Sequence, residues 1–199
     1  MNYNSGMKID YNKLMHDEIS SLESKPRLLL HCCCAPCSSA VIEKIKDYFD
    51  ITYLYFNPNI YPLTEYQKRK EEFKKLDVSV VDIGYNHDEF LDMVKNHEQD
   101  REGGDRCRIC IAYRMDRAFK YAKENNFDLV TTTLSISPHK DAQFINVTGE
   151  SLSQKYEIKY LHADFKKENG YLRSTLICKD KEIYRQNYCG CEFSANQEN

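Results

Sequence analysis

Short apolar runs alternate with amphipathic stretches along most of this chain. Five runs are nearly continuous in apolar side chains, which is the pattern of strands covered on both faces. They span residues 27–31, 51–56, 78–83, 128–133 and 157–161. Because helical patterns separate most of these runs, the chain is predicted to form an α/β fold, with a parallel sheet of about five strands and helices on both faces.

The helical patterns repeat apolar residues at spacings of three and four positions. They predict helices over residues 10–22, 64–76, 87–97 and 171–177, another directly after Pro36 and another from Cys107. Segment 64–76 is predicted to begin with Thr64 as N-cap. Its basic side chains are predicted to form a solvated face, and they are Lys68, Arg69, Lys70, Lys74 and Lys75. Residues 1–24 are predicted to be an N-terminal helical extension and residues 25–199 a single α/β catalytic domain.

Composition and charge narrow the class of protein. The 199 residues, 41% of them hydrophobic, suffice for one sizeable core. A formal charge of -3 provides no overall basic field, so any contact with nucleic acid would depend on a local patch. The first residues are polar and lack an apolar core, so neither an export signal nor a membrane span is expected. A cytoplasmic location is therefore predicted.

Nine cysteines are unusual in such a chain. Clustered cysteines in a reducing compartment indicate metal binding or catalysis more often than structural disulfides. One group directly follows the first predicted strand, a second opens a predicted helix, and a third lies near the carboxyl end. The groups are Cys32, Cys33, Cys34 and Cys37; Cys107 and Cys110; and Cys189 and Cys191. Carboxyl ends of parallel strands share one rim, so the first two groups are expected to meet there. Cys178 stands alone and is predicted to be a buried core residue.

Several kinds of chemistry fit these thiols. Cys33, Cys34, Cys107 and Cys110 supply four thiolates for one centre, which suits a [4Fe-4S] cluster or a tetrahedral Zn²⁺. A structural zinc site in an RNA-binding adaptor is one alternative. A thioredoxin-like oxidoreductase that uses Cys34 and Cys37 is another. A disulfide across Cys189-Gly190-Cys191 would close a small strained ring, which favours carrying electrons over holding a fold.

Four motifs, taken together, resemble the QueH family of epoxyqueuosine reductases. The motifs are His31-Cys32-Cys33-Cys34-Ala35-Pro36-Cys37, Arg106-Cys107-Arg108-Ile109-Cys110-Ile111-Ala112-Tyr113-Arg114, residues 131–141 and Tyr188-Cys189-Gly190-Cys191. The resemblance implies reduction of epoxyqueuosine to queuosine at the wobble position of tRNA, in a fold like that of adenine-nucleotide α-hydrolases. It also implies a [4Fe-4S] cluster on Cys33, Cys34, Cys107 and Cys110, and a redox-active disulfide between Cys189 and Cys191.

The same resemblance guides the remaining candidates for the site. An additional mononuclear iron near Cys37 could polarise the epoxide oxygen as a Lewis acid. Asp141, His139 and Tyr61 are candidate proton donors on rim loops. Recognition of an anticodon loop needs cations and stacking aromatic rings, for which Arg106, Arg114 and Tyr61 are the candidates. An external electron donor is expected as a partner in addition to the tRNA.

Overall fold

Five parallel strands form one sheet in the order β3-β2-β1-β4-β5. In the computed structural model, which describes residues 9–195, the strands are β1 Arg27–Cys32, β2 Asp50–Tyr55, β3 Val80–Asp82, β4 Leu129–Thr132 and β5 Lys159–Tyr160. The chain builds the sheet outward from β1 in one direction, then returns to place β4 on its other side. The predicted parallel α/β fold is confirmed, although the outer strands are shorter than the apolar runs suggested.

Eight helices lie in the described part of the chain. They are α1 Tyr11–Ser20, α2 Ala35–Ile45, α3 Leu63–Glu71, α4 His87–Met93, α5 Asp105–Glu124, α6 Ala142–Tyr156, α7 Gly170–Asp180 and α8 Glu192–Ala195. Two 3₁₀ turns, Glu72–Leu76 and Thr133–Ile136, extend α3 and follow β4.

Alternating side chains of β1 face two separate hydrophobic cores. Leu28 and Leu30 pack in one core with residues of α1, α2 and α7. Leu29 packs in the other with residues of α5 and α6. Successive side chains of a strand point to opposite faces, so this pairing places helices on both faces of the sheet. Cys178 is buried in the first core, as predicted.

Three local expectations differ from the structure. Helix α3 begins at Leu63, and its N-cap is Pro62 rather than Thr64. Arg69 does not lie on a solvated basic face: it is buried, with 2% of its surface exposed, because it pairs with Glu65 and with the carboxyl-terminal segment. Helix α6 was not predicted, because polar residues interrupt its apolar positions.

The sheet creates a crevice where its strand order reverses. Strands β1 and β4 are neighbours, but their following connections leave toward opposite sides of the sheet. Open α/β sheets bind ligands at this point, outside the carboxyl ends of the strands. The first cysteine group directly follows β1 and is therefore located in this crevice.

Candidate metal and redox site

The first thiol group is built by the turn from β1 into α2. Cys34 is the N-cap of α2, and its Sγ accepts a hydrogen bond from the N–H of Cys37 at 3.4 Å. The hydroxyl of Thr133, at the end of β4, accepts from the N–H of Cys33 at 3.1 Å and lies 3.3 Å from Cys33 Sγ. The Sγ atoms of Cys33, Cys34 and Cys37 all lie within 4.8 Å of one another. These three thiols could hold a metal ion.

The three thiols differ in how strongly their surroundings favour the thiolate form. Hydrogen bonds from Cys34 and Cys37 hold the pKa of Cys33 well below its ordinary value, and the charges of Arg114 and Lys140 act in the same direction. The same contact raises the pKa of Cys34 to about 12. The pKa of Cys37 is likewise raised well above its usual range, mainly by its hydrogen bond with Cys33. Of the three, Cys33 is the thiol whose surroundings most favour the thiolate.

His31 supports this turn from below and stays neutral. Its Nε2 lies 3.2 Å from the carbonyl of Phe56, which can only accept, so Nε2 carries the proton. Nδ1 then accepts from the hydroxyl of Thr132 at 2.8 Å. Burial, followed by the charge of Arg114, lowers the pKa of His31 to about 3. His31 is therefore a structural link among β1, β2 and β4 rather than an acid.

The second thiol group lies at the start of α5 and beside the carboxyl-terminal segment. Cys107 Sγ accepts from the N–H of Gly103 at 3.3 Å, and burial raises the pKa of this thiol. Burial also raises the pKa of Cys110 to about 12. Both line one cavity together with Cys189 and Cys191. The predicted helix start at this cysteine pair is confirmed, with Asp105 as its first residue.

Two cavities adjoin along a shared wall. The larger, of about 390 Å³, is lined by Cys33, Cys34 and Cys37, and Cys189, Arg114 and Lys140 line both cavities. Arg114 is buried and interacts electrostatically with Cys33, Cys110 and Cys189. Its guanidinium also donates to Asn57 Oδ1. The buried cation Arg114 therefore lies between the two thiol groups.

Lys140 is the second cation of the shared wall. Its Nζ lies 4.0 Å from Cys189 Sγ. The thiolate form of Cys189 is the main reason that the pKa of Lys140 is raised, and Cys33 and Cys37 contribute. Lys140 thus faces both the first thiol group and the carboxyl-terminal pair. The sequence contained a signal for it, since Lys140 belongs to the polar turn after β4.

The carboxyl-terminal pair is held in place by contacts from α3 and the loop before it. Arg69 Nη1 donates to the carbonyl of Cys189 at 3.0 Å, and the N–H of Tyr61 donates to the carbonyl of Gly190 at 2.9 Å. Gly190 has φ +114, and a Cβ there would meet Arg69 Nη1 at 2.7 Å. Cys191 is buried, which raises its pKa, and its Sγ lies 3.5 Å from Ser194 Oγ. All nine cysteines are free thiols in this structure.

The remaining predicted site residues lie around these cavities in different settings. Asp141 lines the smaller cavity, and its carboxylate caps α6 by accepting from the N–H groups of residues 143 and 144. Arg106 also lines it, and its buried guanidinium donates to main-chain carbonyls of residues 97, 98 and 100. Tyr61 is 48% exposed and stacks on His87 with ring centroids 5.0 Å apart. His139 is exposed and lines both cavities.

Fold and site together define the class of protein. Seven thiols surround two adjoining cavities at the switch point of a parallel α/β sheet, which is the arrangement of a thiol-based metal-binding or redox protein. Residues 28–197 match the family model described as epoxyqueuosine reductase QueH. The chain belongs to this family and is an oxidoreductase.

Curated relatives are similar over most of the chain. The chain is 39% identical over 210 residues to epoxyqueuosine reductase QueH of Streptococcus pyogenes serotype M1. The alignment covers 99% of the chain and 82% of that protein. It is 38% identical over 206 residues to the QueH protein of Staphylococcus aureus, covering 96% of the chain and 86% of that protein. The Thermotoga maritima protein of the same name is 34% identical over 174 residues, which cover 84% of the chain and 89% of that protein.

Among the described helices, none is long and apolar enough to cross a membrane.

Proposed function

We propose that this protein reduces epoxyqueuosine to queuosine at the wobble position of tRNA. The observation that carries the proposal is the convergence of seven thiols on two adjoining cavities in a member of the QueH family. All of these thiols lie between residues 25 and 199, which we assign to one catalytic domain. We assign residues 1–24 to an N-terminal extension, whose helix α1 lies in its described part and whose residues 1–8 lie outside the described residues. A tRNA substrate places the reaction in the cytoplasm.

The carboxyl-terminal thiol pair balances the electrons of this reaction. Removing the epoxide oxygen as water breaks two C–O bonds, forms an alkene and consumes two electrons and two protons. Oxidation of Cys189 and Cys191 to a disulfide releases two electrons and two protons. An external electron donor then returns the pair to dithiol. Cys189 reaches both cavities while Cys191 is buried, so we place Cys189 nearest the substrate.

The donor set of the site fits an iron-sulfur cluster. Thiolate sulfur is the soft ligand that such clusters require, and the structure brings thiols from two distant parts of the chain to adjoining walls. Cys33, Cys34, Cys107 and Cys110 would hold a [4Fe-4S] cluster, and Cys37 would hold an additional iron beside them. When bound, these groups supply one-electron transfer and Lewis-acid polarisation of an oxygen atom.

The shared wall supplies the charges that the reaction needs. Arg114 and Lys140 both face thiols that become negatively charged, so they stabilise thiolate and neutralise charge that develops on the departing oxygen. Lys140 Nζ carries a proton close to Cys189. Asp141 lines the smaller cavity, but its carboxylate accepts two main-chain hydrogen bonds as the cap of α6, so its role as a proton donor stays a prediction.

Of the three predicted tRNA contacts, Tyr61 is exposed while Arg106 and Arg114 are buried. It stacks on His87, whose Nδ1 and Nε2 lie 2.8 Å from the carbonyl of Pro58 and from Glu192 Oε1. An aromatic ring fixed in this way offers a free face for an unstacked base of the anticodon loop. Arg114 lines the cavity and would bind the modified base there. The substrate role of Arg106 stays a prediction, since main-chain carbonyls engage its guanidinium.

Anaerobic purification followed by a reduction assay tests the proposal. We expect a brown protein with stoichiometric iron and sulfide that converts epoxyqueuosine in tRNA to queuosine when a reductant is supplied. The readout is the nucleoside composition of the digested tRNA. A colourless protein that holds stoichiometric zinc after iron-sulfide reconstitution, and leaves epoxyqueuosine intact, would favour the structural-zinc adaptor instead.

A further inference from the structure

Helix α7 and the segment that follows it form one wall of the larger cavity. Tyr171, Ser174, Arg185 and Tyr188 line that wall. Tyr171 lies in the first turn of α7 and is 41% exposed, and Arg185 is half-buried. The chemistry proposed above uses none of these side chains. The wall therefore places an aromatic ring and a guanidinium beside the thiols without a role assigned to them.

Tyr171 and Arg185 form a cation–π pair that the fold holds in place. The guanidinium carbon of Arg185 lies 5.4 Å from the centroid of the Tyr171 ring. Arg185 Nη1 donates to Ser174 Oγ at 3.4 Å, and Ser174 Oγ donates in turn to the carbonyl of Tyr171 at 2.7 Å. Arg185 is not one of the arginines that pair with a carboxylate among residues 9–195. Its positive charge is therefore available to a ligand, next to a ring that is partly exposed.

The charges that line the larger cavity favour an anionic ligand. Among the described residues of its lining, four are lysine or arginine and one, Glu102, is acidic. The cations are Arg69, Arg114, Lys140 and Arg185. Arg69 forms an ion pair, and Arg114 and Lys140 face thiols. Arg185 is thus the cation of this lining that suits a phosphate group. Such a local patch is what a chain of net charge -3 needs to bind nucleic acid.

The shape of a tRNA substrate puts further nucleotides against this wall. When the modified base enters the cavity, the RNA continues from it in both directions, so the neighbouring nucleotides must lie on the rim. A nucleotide offers an aromatic base and a phosphate, which match a tyrosine ring and a guanidinium. We propose that Tyr171 and Arg185 bind a nucleotide adjacent to the modified one, with its base stacked on Tyr171 and its phosphate paired with Arg185. This inference rests on the proposed function and extends it to the flanking RNA.

Binding of an anticodon stem-loop tests the stacking contact. The probe is a fluorescent RNA stem-loop with epoxyqueuosine at the wobble position, titrated with iron-loaded protein and followed by anisotropy. Tyr171→Ala removes the ring, so we expect Kd to rise about tenfold. Tyr171→Phe keeps the ring and should bind within about twofold of wild type. In steady-state reduction of the full tRNA, Tyr171→Ala should raise KM and leave kcat unchanged.

Stem-loops with an abasic residue on one or the other side of the wobble position identify the stacked base. One of the two should bind wild-type protein about tenfold more weakly than the intact loop. The same loop should bind Tyr171→Ala no more weakly than the intact loop does, because the ring and its base are removed as one contact. Losses that multiply for both abasic loops would contradict the stacking.

The salt dependence of binding tests the phosphate contact. Arg185→Met keeps the apolar stem and removes the charge. The plot of log Kd against log salt concentration should become less steep by about 0.7, the contribution of one phosphate contact in single-stranded RNA. Arg185→Lys keeps the charge and should keep the wild-type slope. Because Arg185 also donates to Ser174, Tm and iron content are measured for each variant.

Tyr48 and Lys46 provide matched controls on the opposite rim of the sheet. Both are exposed, Tyr48 by 47%, and both precede the amino end of β2. Carboxyl ends of parallel strands form the ligand-binding rim, so the amino ends face away from it. Tyr48→Ala and Lys46→Met should therefore change neither Kd nor the salt slope.

The outcomes separate this inference from the proposed function. An active wild-type protein combined with an unchanged Kd for Tyr171→Ala, or with an equal loss for Tyr48→Ala, overturns the inference and leaves the function standing. Wild-type protein with full iron that binds the stem-loop but leaves epoxyqueuosine intact overturns the proposed function instead.

Discussion

The two thiol regions of the site are constructed in different ways. Cys33, Cys34 and Cys37 lie in the turn from a central strand into α2, where the N–H of Cys37 and the hydroxyl of Thr133 fix them. The pair Cys189 and Cys191 lies in an irregular segment. The difference separates a preformed wall of thiols that could hold a metal, called here the metal-binding wall, from a thiol pair on an irregular segment, to which we assign the electron exchange.

This difference agrees with the chemistry of each region. A metal site gains affinity from ligands that need no rearrangement, and the sheet supplies that rigidity. A dithiol that forms and breaks a disulfide changes its S–S distance in every cycle. Arg69 and Tyr61 attach this pair through its main-chain carbonyls rather than through its Sγ atoms.

The largest expected effect is on metal binding. The double variant Cys107→Ser/Cys110→Ser removes two of the four proposed cluster ligands, because a hydroxyl is a poor ligand for iron-sulfur clusters. We expect loss of iron and sulfide and a fall in epoxyqueuosine reduction of about a thousandfold or more. Cys178→Ala, which removes a lone core thiol, is the control and should retain full iron. A double variant that keeps full activity would instead support a thioredoxin-like mechanism on Cys34 and Cys37.

The next-largest expected effect distinguishes the Cys189 and Cys191 pair from the metal-binding wall. Cys189→Ser leaves the metal-binding wall intact, so iron content should equal that of the wild-type protein. Repeated turnover should fall by about a hundredfold or more, because the remaining thiol cannot form the disulfide. Cys191→Ser should behave in the same way. Steady-state reduction and iron content are measured on the same samples, and iron loss in either variant would assign these thiols to the metal instead.

The sequence was informative about the metal-binding wall because that wall depends on local structure. The strand 27–31, the helix after Pro36 and the helix start at the Cys107 pair were all visible in apolar spacing. A parallel sheet then places such loops on one rim. Motif resemblance added the family, which the comparisons confirm.

The buried position of Arg69 could not be predicted in the same way. Arg69 was expected to be solvated because its neighbours are lysines, yet it is buried between Glu65 and the main chain of Cys189, which lies 120 positions away. Pairing over such sequence distances leaves no periodic signal, so this position required the structure.

A moderate effect is expected from loosening the carboxyl-terminal segment. Arg69→Met keeps the apolar stem but removes the hydrogen bond to the Cys189 carbonyl, so the thiol pair should lose its fixed position. We expect reduction to fall by about tenfold with unchanged iron, and faster hydrogen exchange over residues 186–194. Lys74→Met, on an exposed side chain of the adjoining turn, is the control. Unchanged exchange would show that Tyr61 alone holds the segment.

The smallest effect concerns α1, which is also attached through side chains. Glu168 contacts Asn12 and His16 of α1 and Lys44 of α2, and these contacts, Lys44 first, lower the pKa of Glu168 to about 2. A depressed carboxyl pKa contributes stability above the unfolded value of 4.5, and that contribution is lost as the pH falls from 4.5 toward 2.

Glu168→Gln removes this contribution at every pH. Because the carboxylate is half exposed, we expect the metal-free variant to be less stable than wild type by less than about 1 kcal/mol near neutral pH. Urea unfolding at about pH 6 and about pH 3 should show the two proteins converging as acid protonates Glu168. An equal difference in the free energy of unfolding at both pH values would mean that the substitution destabilises the protein through the shape of the side chain rather than its charge. α1 would then be held by the buried Tyr11 and Met15 and not by its ion pairs.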